Sequence, residues 1–293
     1  MKDKKKRSTN RSTLILVLIL IAGAAIFLYP TFSDWWNSFH QTRAITNYVA
    51  TVANMDKGDQ ERLLQEAEAY NETLLSKQNR FVLSEEEKAE YQRTLDVTGT
   101  GIMAYVEIPS IDVSLPIYHG TNEAELQIAV GHIEGTSLPV GGVGTHSVIS
   151  GHRGLPSARL FTDIDQLKEG DTFLIQVLDR TLTYEVDQIR IVLPNELQDL
   201  AIDPEQDYCT LLTCTPYGVN THRLLVRGRR VENAKQEVSV SPDAIQLEPL
   251  VVAPLVAAPI LLVLIILLFV MTGRKAGRRK ERSSGGEDGG SEE

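Results

Sequence analysis

The sequence is poor in cysteine: it contains only two, Cys209 and Cys214, so at most one disulfide could form within the chain. On an extended run these two would lie about 16 Å apart, at ~3.3 Å per residue, and their odd separation would turn them to opposite faces. A disulfide requires Cα atoms within about 7 Å, so the two are not expected to pair with each other. The arrangement also lacks a metal-ligand spacing, and neither a metal nor another cofactor is expected.

Other signatures are missing too. The chain has no internal repeat, no phosphate-binding glycine loop and no HExxH motif. Positive charge is scarce: the formal net charge is -10, and residues 12–272 hold 17 Lys or Arg against 33 Asp or Glu. An acidic balance of this kind argues against nucleic acid as a partner.

An uncharged run at residues 14–29, LILVLILIAGAAIFLY, is the first long apolar segment. It follows residues 1–11, which hold six Lys or Arg and one Asp, and it is followed shortly by Trp35 and Trp36. A basic flank, an apolar run and interfacial tryptophans are typical of a membrane segment. A signal peptide is the alternative, but no small-x-small cleavage site follows the run. We therefore predict a transmembrane helix or signal anchor over residues 12–30.

A second uncharged run covers residues 250–273, about 36 Å as a helix at ~1.5 Å per residue, which is enough to cross a bilayer. Residues 274–282 follow with six basic side chains in nine. Since both ends carry the basic excess, the positive-inside rule predicts cytoplasmic termini and an extracellular region between the spans. Residues 234–249 are then a linker, and the acidic end of the cytoplasmic tail, 274–293, is predicted to be disordered.

Residues 31–98 have helical periodicity. Apolar residues recur at helical spacing before and after a break at residues 57–59, and they predict two helices. A third helical run begins after Ser84, which is placed to cap it ahead of Glu87. Residues 77–83 are interpreted as an exposed linker, with a flap over a functional site as the alternative.

From residue 99 the sequence changes to short β-branched runs separated by Gly, Pro, Asn and Asp. At least seven strands are predicted up to residue 233, with helical candidates at residues 124–128 and 160–167. The predicted fold class is therefore mainly β, a closed β-barrel with short helices, preceded by a helical segment and flanked by two transmembrane helices.

The chemically distinctive stretch of this barrel is TLLTCTPYGVNTHRLLVRG, residues 210–228. Its central Pro, Gly and Asn residues predict a hairpin in which one strand ends at Cys214 and the next begins at Arg223. Because a free thiol is only a few per cent thiolate at neutral pH, a nucleophilic Cys214 would need a nearby cation, which Arg223 could supply. A buried cysteine and a surface arginine are the alternative, and spacing alone does not decide. Cys209, on the opposite face, is predicted to be a core residue.

A cysteine nucleophile also needs a base or an imidazolium, and the chain has six histidines. His152 is the preferred candidate because it follows the predicted strand at residues 145–150 directly. Glycines on both sides of the pair His152-Arg153 would open space for a substrate. His119 and His132 fall in predicted loops, where a structural hydrogen bond is the expected role.

The sequences TLLTC at residues 210–214 and SGHRG at residues 150–154, together with Arg223, resemble the sortases, cysteine transpeptidases of the Gram-positive cell surface. The longer stretches TCTPYGVNTHRLLVRGRR, IPSIDVSLPIYHGT and GHIEGTSLPVGG are similar to the class C branch, which polymerises pilins. The resemblance covers residues 99 to about 231, so that residues 99–233 would form the catalytic barrel.

The resemblance implies a role for each matching residue. Cys214 would be the nucleophile, His152 its imidazolium partner and general acid, and Arg223 the stabiliser of the substrate carbonyl and oxyanion. Thr213, beside the nucleophile, would line the substrate groove.

The implied reaction is cleavage of an LPXTG-like sorting signal through a thioester, followed by transfer to an amine, which in class C is a pilin lysine. Anchoring of surface proteins to a cell-wall peptide is the alternative within the family. A non-catalytic membrane-tethered barrel for adhesion or scaffolding is the alternative outside it.

One feature departs from the class C pattern. Many members carry an Asp-Pro-aromatic lid before the barrel, and no such tripeptide occurs between residues 31 and 98. Asn79-Arg80-Phe81 stands at about the corresponding place, which makes Phe81 the candidate lid residue.

Overall fold

The structure is a computed structural model that describes residues 11–77 and 79–233 of the chain. The predicted second membrane span, the linker before it and the cytoplasmic tail lie outside the described residues. The described residues fall into two compact units, one containing residues 11–29 and the other residues 30–233. The described part of the first unit is helical, and the second unit contains the whole β-barrel.

The first helix, α1 (Arg11–Asn54), joins the predicted membrane segment and the first predicted polar helix through Pro30. Within the described residues it is the one helix long and apolar enough to cross a membrane, by length and composition. Its part beyond Pro30 is fixed to the barrel: Asn37 Nδ2 donates to Ser157 O (2.8 Å) and Tyr48 OH donates to Met103 O (3.0 Å).

Two further helices follow, α2 (Lys57–Leu75) and α3 (Glu85–Arg93). The predicted break at residues 57–59 is wrong by about one turn, because these residues form the first turn of α2. Asp56 caps this helix by accepting a hydrogen bond from Gly58 N (2.7 Å). The predicted cap of α3 is confirmed as a capping box, in which Ser84 N donates to Glu87 Oε2 (2.7 Å) and Glu87 N donates to Ser84 Oγ (3.3 Å).

The predicted closed β-barrel is confirmed, with eight strands in the order β1-β2-β3-β4-β7-β8-β6-β5, the last pairing with the first. The strands are β1 (Ile102–Ile108), β2 (Val113–His119), β3 (Val130–His132), β4 (Thr145–Ser150), β5 (Thr172–Val177), β6 (Arg180–Val192), β7 (Asp207–Thr215) and β8 (His222–Val231). The seven predicted strands do not include β3, because a strand of three residues is too short to show an alternating pattern. Of the helical candidates, 124–128 corresponds to α4 (Glu123–Leu126), whereas 160–167 contains only the 3-10 turn Ile164–Gln166.

The barrel interior is filled by alternate residues of each strand, as the two-residue period of a strand requires. Ile149, Leu211 and Val226 are completely buried there, and so is Cys209, which confirms its prediction as a core residue. Gly228 stands opposite Cys209 on β8, and a Cβ there would lie 2.6 Å from the ring of Phe173. Only glycine at this position lets an aromatic ring fill the barrel.

The three strands β4, β7 and β8 are neighbours and determine where the candidate site lies. β4 is parallel to β7, with Ser150 paired with Leu212, and β7 is antiparallel to β8, with Leu212 paired with Leu225. Residues paired in this way share one face of the sheet. The face that carries Leu212 and Leu225 is the outer face of the barrel, opposite to the one that carries Leu211.

Candidate active site

The hairpin of β7 and β8 brings Cys214 and Arg223 together as direct cross-strand partners. Residues paired in this way have Cα atoms about 4.5 to 5.5 Å apart. Cys214 is half-buried, and it lies on the outer face, one outer position beyond Leu212. The side chains of Cys214 and Arg223 therefore leave the end of the hairpin on the same face.

The turn that joins the two strands also holds the arginine. Val219 N and Asn220 N both donate to Pro216 O, at 3.1 and 2.9 Å. Asn220 has a φ of 60°, which this residue type tolerates better than most, and its carbonyl accepts a hydrogen bond from Arg223 Nη1 (3.2 Å). A second bond from Nη1 goes to His222 O (3.1 Å), so the guanidinium is held against the backbone of the turn.

His152 comes to the same strand end from the other side of Cys214. The β4–β7 pairing continues past Ser150, because Gly151 N donates to Leu212 O (3.0 Å) and Thr213 Oγ1 donates to Gly151 O (2.7 Å). One further residue along each strand brings His152 level with Cys214. His152 and Arg223 thus flank the cysteine from the two strands that neighbour β7.

Thr213 does not line the surface that Cys214 faces. Its side chain is completely buried, because adjacent residues of a strand point to opposite faces. The expectation that it borders the substrate groove is wrong; its hydroxyl instead fixes the backbone of Gly151, next to His152.

The loop that carries His152 is held by Arg153, for which the sequence predicts no role of its own. Arg153 is 11% exposed, its Nη1 donates to Thr215 Oγ1 (3.3 Å), and its Nη2 forms an ion pair with Asp165. The guanidinium therefore ties the histidine loop to the residue that follows Cys214 on β7. The only sequence signal for this role is a charged side chain directly after the histidine.

The glycines around His152 do not open space for a substrate. A Cβ at Gly151 would lie 2.8 Å from Phe161, and a Cβ at Gly154 would lie 2.7 Å from the ring of Tyr217. The expectation of an open loop is therefore wrong, because the rings of Phe161 and Tyr217 fill the space beside these glycines. The tight packing helps to define where His152 lies.

The other buried histidines are structural. His132 Nε2 bonds to Ser137 O (2.8 Å), and burial lowers the pKa of His132 to about 3. Burial also lowers the pKa of His146 to about 4, and its Nδ1 bonds to Ala201 O (2.8 Å). His119 bonds to backbone oxygens through both ring nitrogens. The predicted structural role of His119 and His132 is confirmed, although both residues end strands instead of lying in loops.

Cys209 differs from Cys214 in environment. Burial raises the pKa of the Cys209 thiol far above its ordinary value, with the nearby carboxylate of Asp207 adding to the rise. A thiol kept protonated in this way is inert as a nucleophile.

Residues 79–83 are not the exposed linker that the sequence suggested. Arg80 is buried, and its guanidinium donates to Gly135 O (3.3 Å) and to Leu200 O. Phe81 is half-buried and packs on an outer-face cluster formed by Val148, Leu200 and Leu225. The segment is therefore fastened to the barrel surface next to the row that carries Cys214 and Arg223.

Comparison with known proteins agrees with this architecture. A sortase domain family model matches residues 106–231. The crystal structure of sortase C1 from Streptococcus agalactiae is 50% identical and covers 66% of this chain and 100% of its own, with a TM-score of 0.63. Sortase C of Streptococcus pneumoniae, whose report concerns catalysis and pilin substrate specificity, is 46% identical over 65% of this chain and 97% of its own, with a TM-score of 0.59.

The similarity to the Streptococcus agalactiae structure thus extends over the whole length of that chain. The chain belongs to the sortase family, and its structural neighbours are class C sortases. Sortase D of Bacillus subtilis is 30% identical over 129 residues, which cover 43% of this chain and 62% of that protein. The chain thus spans less than two thirds of that relative's length.

Proposed function

We propose that the chain is a membrane-anchored extracytoplasmic cysteine transpeptidase that cleaves an LPXTG-like sorting signal and transfers it to an amine. The observation that carries the proposal is the row of His152, Cys214 and Arg223 across three adjacent strands. A nucleophile between an imidazole and a guanidinium has both an acid and an oxyanion donor within reach.

In the first half of the reaction, the Cys214 thiolate attacks the carbonyl carbon of the Thr-Gly bond. Arg223 donates to the carbonyl oxygen as it becomes negative. The C–N bond then breaks, and protonated His152 gives its proton to the leaving amine. The product is a thioester between Cys214 and the sorting signal.

In the second half, an amine attacks the thioester carbonyl and a C–N bond forms. The C–S bond breaks, the sulfur leaves as thiolate, and His152 takes the proton that the nitrogen loses. The thiolate and the imidazolium are thereby restored for the next cycle.

The sorting signal would bind along the outer face of β7 and β8. Leu212 and Leu225 form a cross-strand pair one outer position below Cys214 and Arg223, and they offer apolar surface to the leucine and proline of the signal. Phe81 and Leu212 both pack on the cluster that contains Leu225. We therefore propose that residues 79–83 form a lid, held by Arg80, that must move before the signal binds.

A pilin lysine is the proposed acceptor, supported by the similarity to sortase C of Streptococcus pneumoniae. Transfer to a cell-wall peptide amine is the alternative. Incubating the acyl-enzyme with purified pilin and with cell-wall peptide separates the two, because only the true acceptor should release the thioester faster than water does.

Membrane attachment is proposed through the apolar part of α1, with the second span at residues 250–273 and both termini in the cytoplasm. In intact cells an external protease should reach the barrel but neither terminus. Staining of a C-terminal tag from outside would contradict this topology.

The test of the activity itself is cleavage of a fluorogenic LPXTG peptide by the wild type and by Cys214→Ala. Cleavage by the wild type alone supports the proposal. Absence of cleavage by a protein whose Cys214 thiol is free and whose lid is opened by Arg80→Met would favour a non-catalytic adhesion or scaffold barrel.

A further inference from the structure

Glu123, at the start of α4, has a carboxylate that faces His152. Its Oε2 lies 3.8 Å from His152 Nε2, and the Glu123 side chain is 74% exposed. Nε2 is buried and makes no hydrogen bond to any described residue. One carboxylate oxygen is thus turned toward the histidine at a point that solvent reaches.

Two contacts hold the Glu123 carboxylate in position. Gln127 Nε2, one turn further along, donates to the other oxygen, Oε1. Leu126 anchors α4 by its burial, and a Cβ built on Gly131 of β3 would lie 3.3 Å from it. The anchored position of α4 and the hydrogen bond from Gln127 to Oε1 together keep Oε2 directed toward His152.

A purely structural ion pair is a poor account of this contact. At 3.8 Å the two atoms are beyond hydrogen-bond distance, and an exposed pair of this kind contributes little to stability because water screens it. A carboxylate held in place, accessible to solvent and next to a histidine is better suited to receive a cation.

We propose that Glu123 binds the amine that resolves the thioester, while that amine is still a primary ammonium ion. This inference rests on the proposed transpeptidase function and names the acceptor side of the same site. The ligand class is a lysine-like primary amine, whose ammonium group carries three N–H donors and a full charge.

The ammonium ion binds at Glu123 and loses one proton to solvent, which has access to this carboxylate. The neutral amine then attacks the thioester carbonyl, the C–N bond forms and the C–S bond breaks. The nitrogen's second proton passes to His152 and the sulfur leaves as thiolate, so that atoms and charges balance. Glu123 contributes by concentrating and orienting the amine beside the base.

The test compares a cationic with a neutral acceptor on the full chain in detergent, with a fluorogenic LPXTG peptide as acyl donor. Nα-acetyl-lysine amide is an ammonium ion at neutral pH, whereas hydroxylamine is largely uncharged. For Glu123→Gln, we expect the ratio of kcat/KM for the lysine amide to kcat/KM for hydroxylamine to fall about three- to tenfold, mainly through the KM of the lysine amide.

Glu86→Gln, an exposed residue of α3, removes the same charge elsewhere and should keep the wild-type ratio. An unchanged ratio in Glu123→Gln would overturn the inference. An equal fall for both amines would also overturn it, because the carboxylate would then act by positioning His152. An Arg80→Met protein that forms no thioester at all would refute the proposed function, and a thioester that forms normally while the ratio stays constant would refute only the role of Glu123.

Discussion

Replacing Arg80 should open the segment that covers the proposed peptide-binding surface. Arg80 is 9% exposed, and its guanidinium bonds to Gly135 O on one side and to Leu200 O on the other. Arg80→Met keeps most of the apolar stem but removes both donors. The closed position then has two buried carbonyl oxygens without partners, whereas in an open position water can reach them.

The size of the effect follows from these two bonds. A buried polar group without a partner costs about 1 to 3 kcal/mol, and part of that cost is offset because burying the guanidinium was itself unfavourable. Burial indeed lowers the pKa of Arg80. A net loss of about 2 to 4 kcal/mol for the closed form would raise the ratio of open to closed molecules by roughly 30- to 700-fold, at about 1.4 kcal/mol per tenfold change.

Two measurements report on the opening: the alkylation rate of Cys214 by a bulky thiol reagent, and kcat/KM for an LPXTG peptide. Both should rise in Arg80→Met and in Phe81→Ala, which removes the covering ring but leaves the arginine. Arg62→Met is the matched control, since Arg62 makes only exposed ion pairs on α2. If Arg80→Met lowers the melting temperature but leaves both rates at the wild-type value, residues 79–83 support the fold and do not act as a lid.

Three further outcomes are expected. Cys214→Ala should abolish turnover, whereas Cys209→Ala should cost about 1 kcal/mol of stability for so small a buried group; equal catalytic effects would contradict the assignment of the nucleophile. Arg223→Lys keeps the charge but loses the planar fork, so kcat/KM should stay about 100- to 1000-fold impaired, and near-normal cleavage by Arg223→Ala would remove the arginine from the mechanism. The folded-state pKa values of His132 (about 3) and His146 (about 4) lie below the ordinary value near 6.5, so the unfolded chain binds more protons as pH falls. The free energy of unfolding should therefore drop by about 1.4 kcal/mol per histidine per pH unit below ~6.5, and denaturant titrations that show no such drop would mean that these histidines are not neutral in the fold.

The barrel and the hairpin were predictable because their signals are local. Alternating apolar residues mark the strands, and turn residues between Cys214 and Arg223 force these two positions to meet. The distance in sequence from His152 to Cys214 gives no such signal. Their proximity depends on the parallel pairing of β4 with β7, which only the structure shows. Before the structure, only the resemblance to sortases placed His152 and Cys214 in one site.

The features that sequence analysis missed depend on contacts between distant segments. Arg80 looks like a surface residue in a polar stretch, and only the carbonyls of Gly135 and Leu200, supplied by two loops of the barrel, make its burial favourable. The glycine at 154 suggested open space because its neighbour in the fold, Tyr217, is 63 positions away. A glycine in the sequence does not show whether another side chain fills the space beside it.

Phe81 and Glu123 contact different groups and should therefore act on different steps of the reaction. Phe81 packs on a cluster formed by Val148 of β4, Leu200 and Leu225 of β8, whereas Glu123 faces His152. Opening the lid should therefore accelerate thioester formation without changing which amine resolves it. Replacing Glu123 should change the preference between amines without changing the alkylation of Cys214. In the variant that carries both Arg80→Met and Glu123→Gln, the two effects should combine independently, because residues without shared partners usually act additively. A strong interaction between the two substitutions would mean that the signal and the amine share one path.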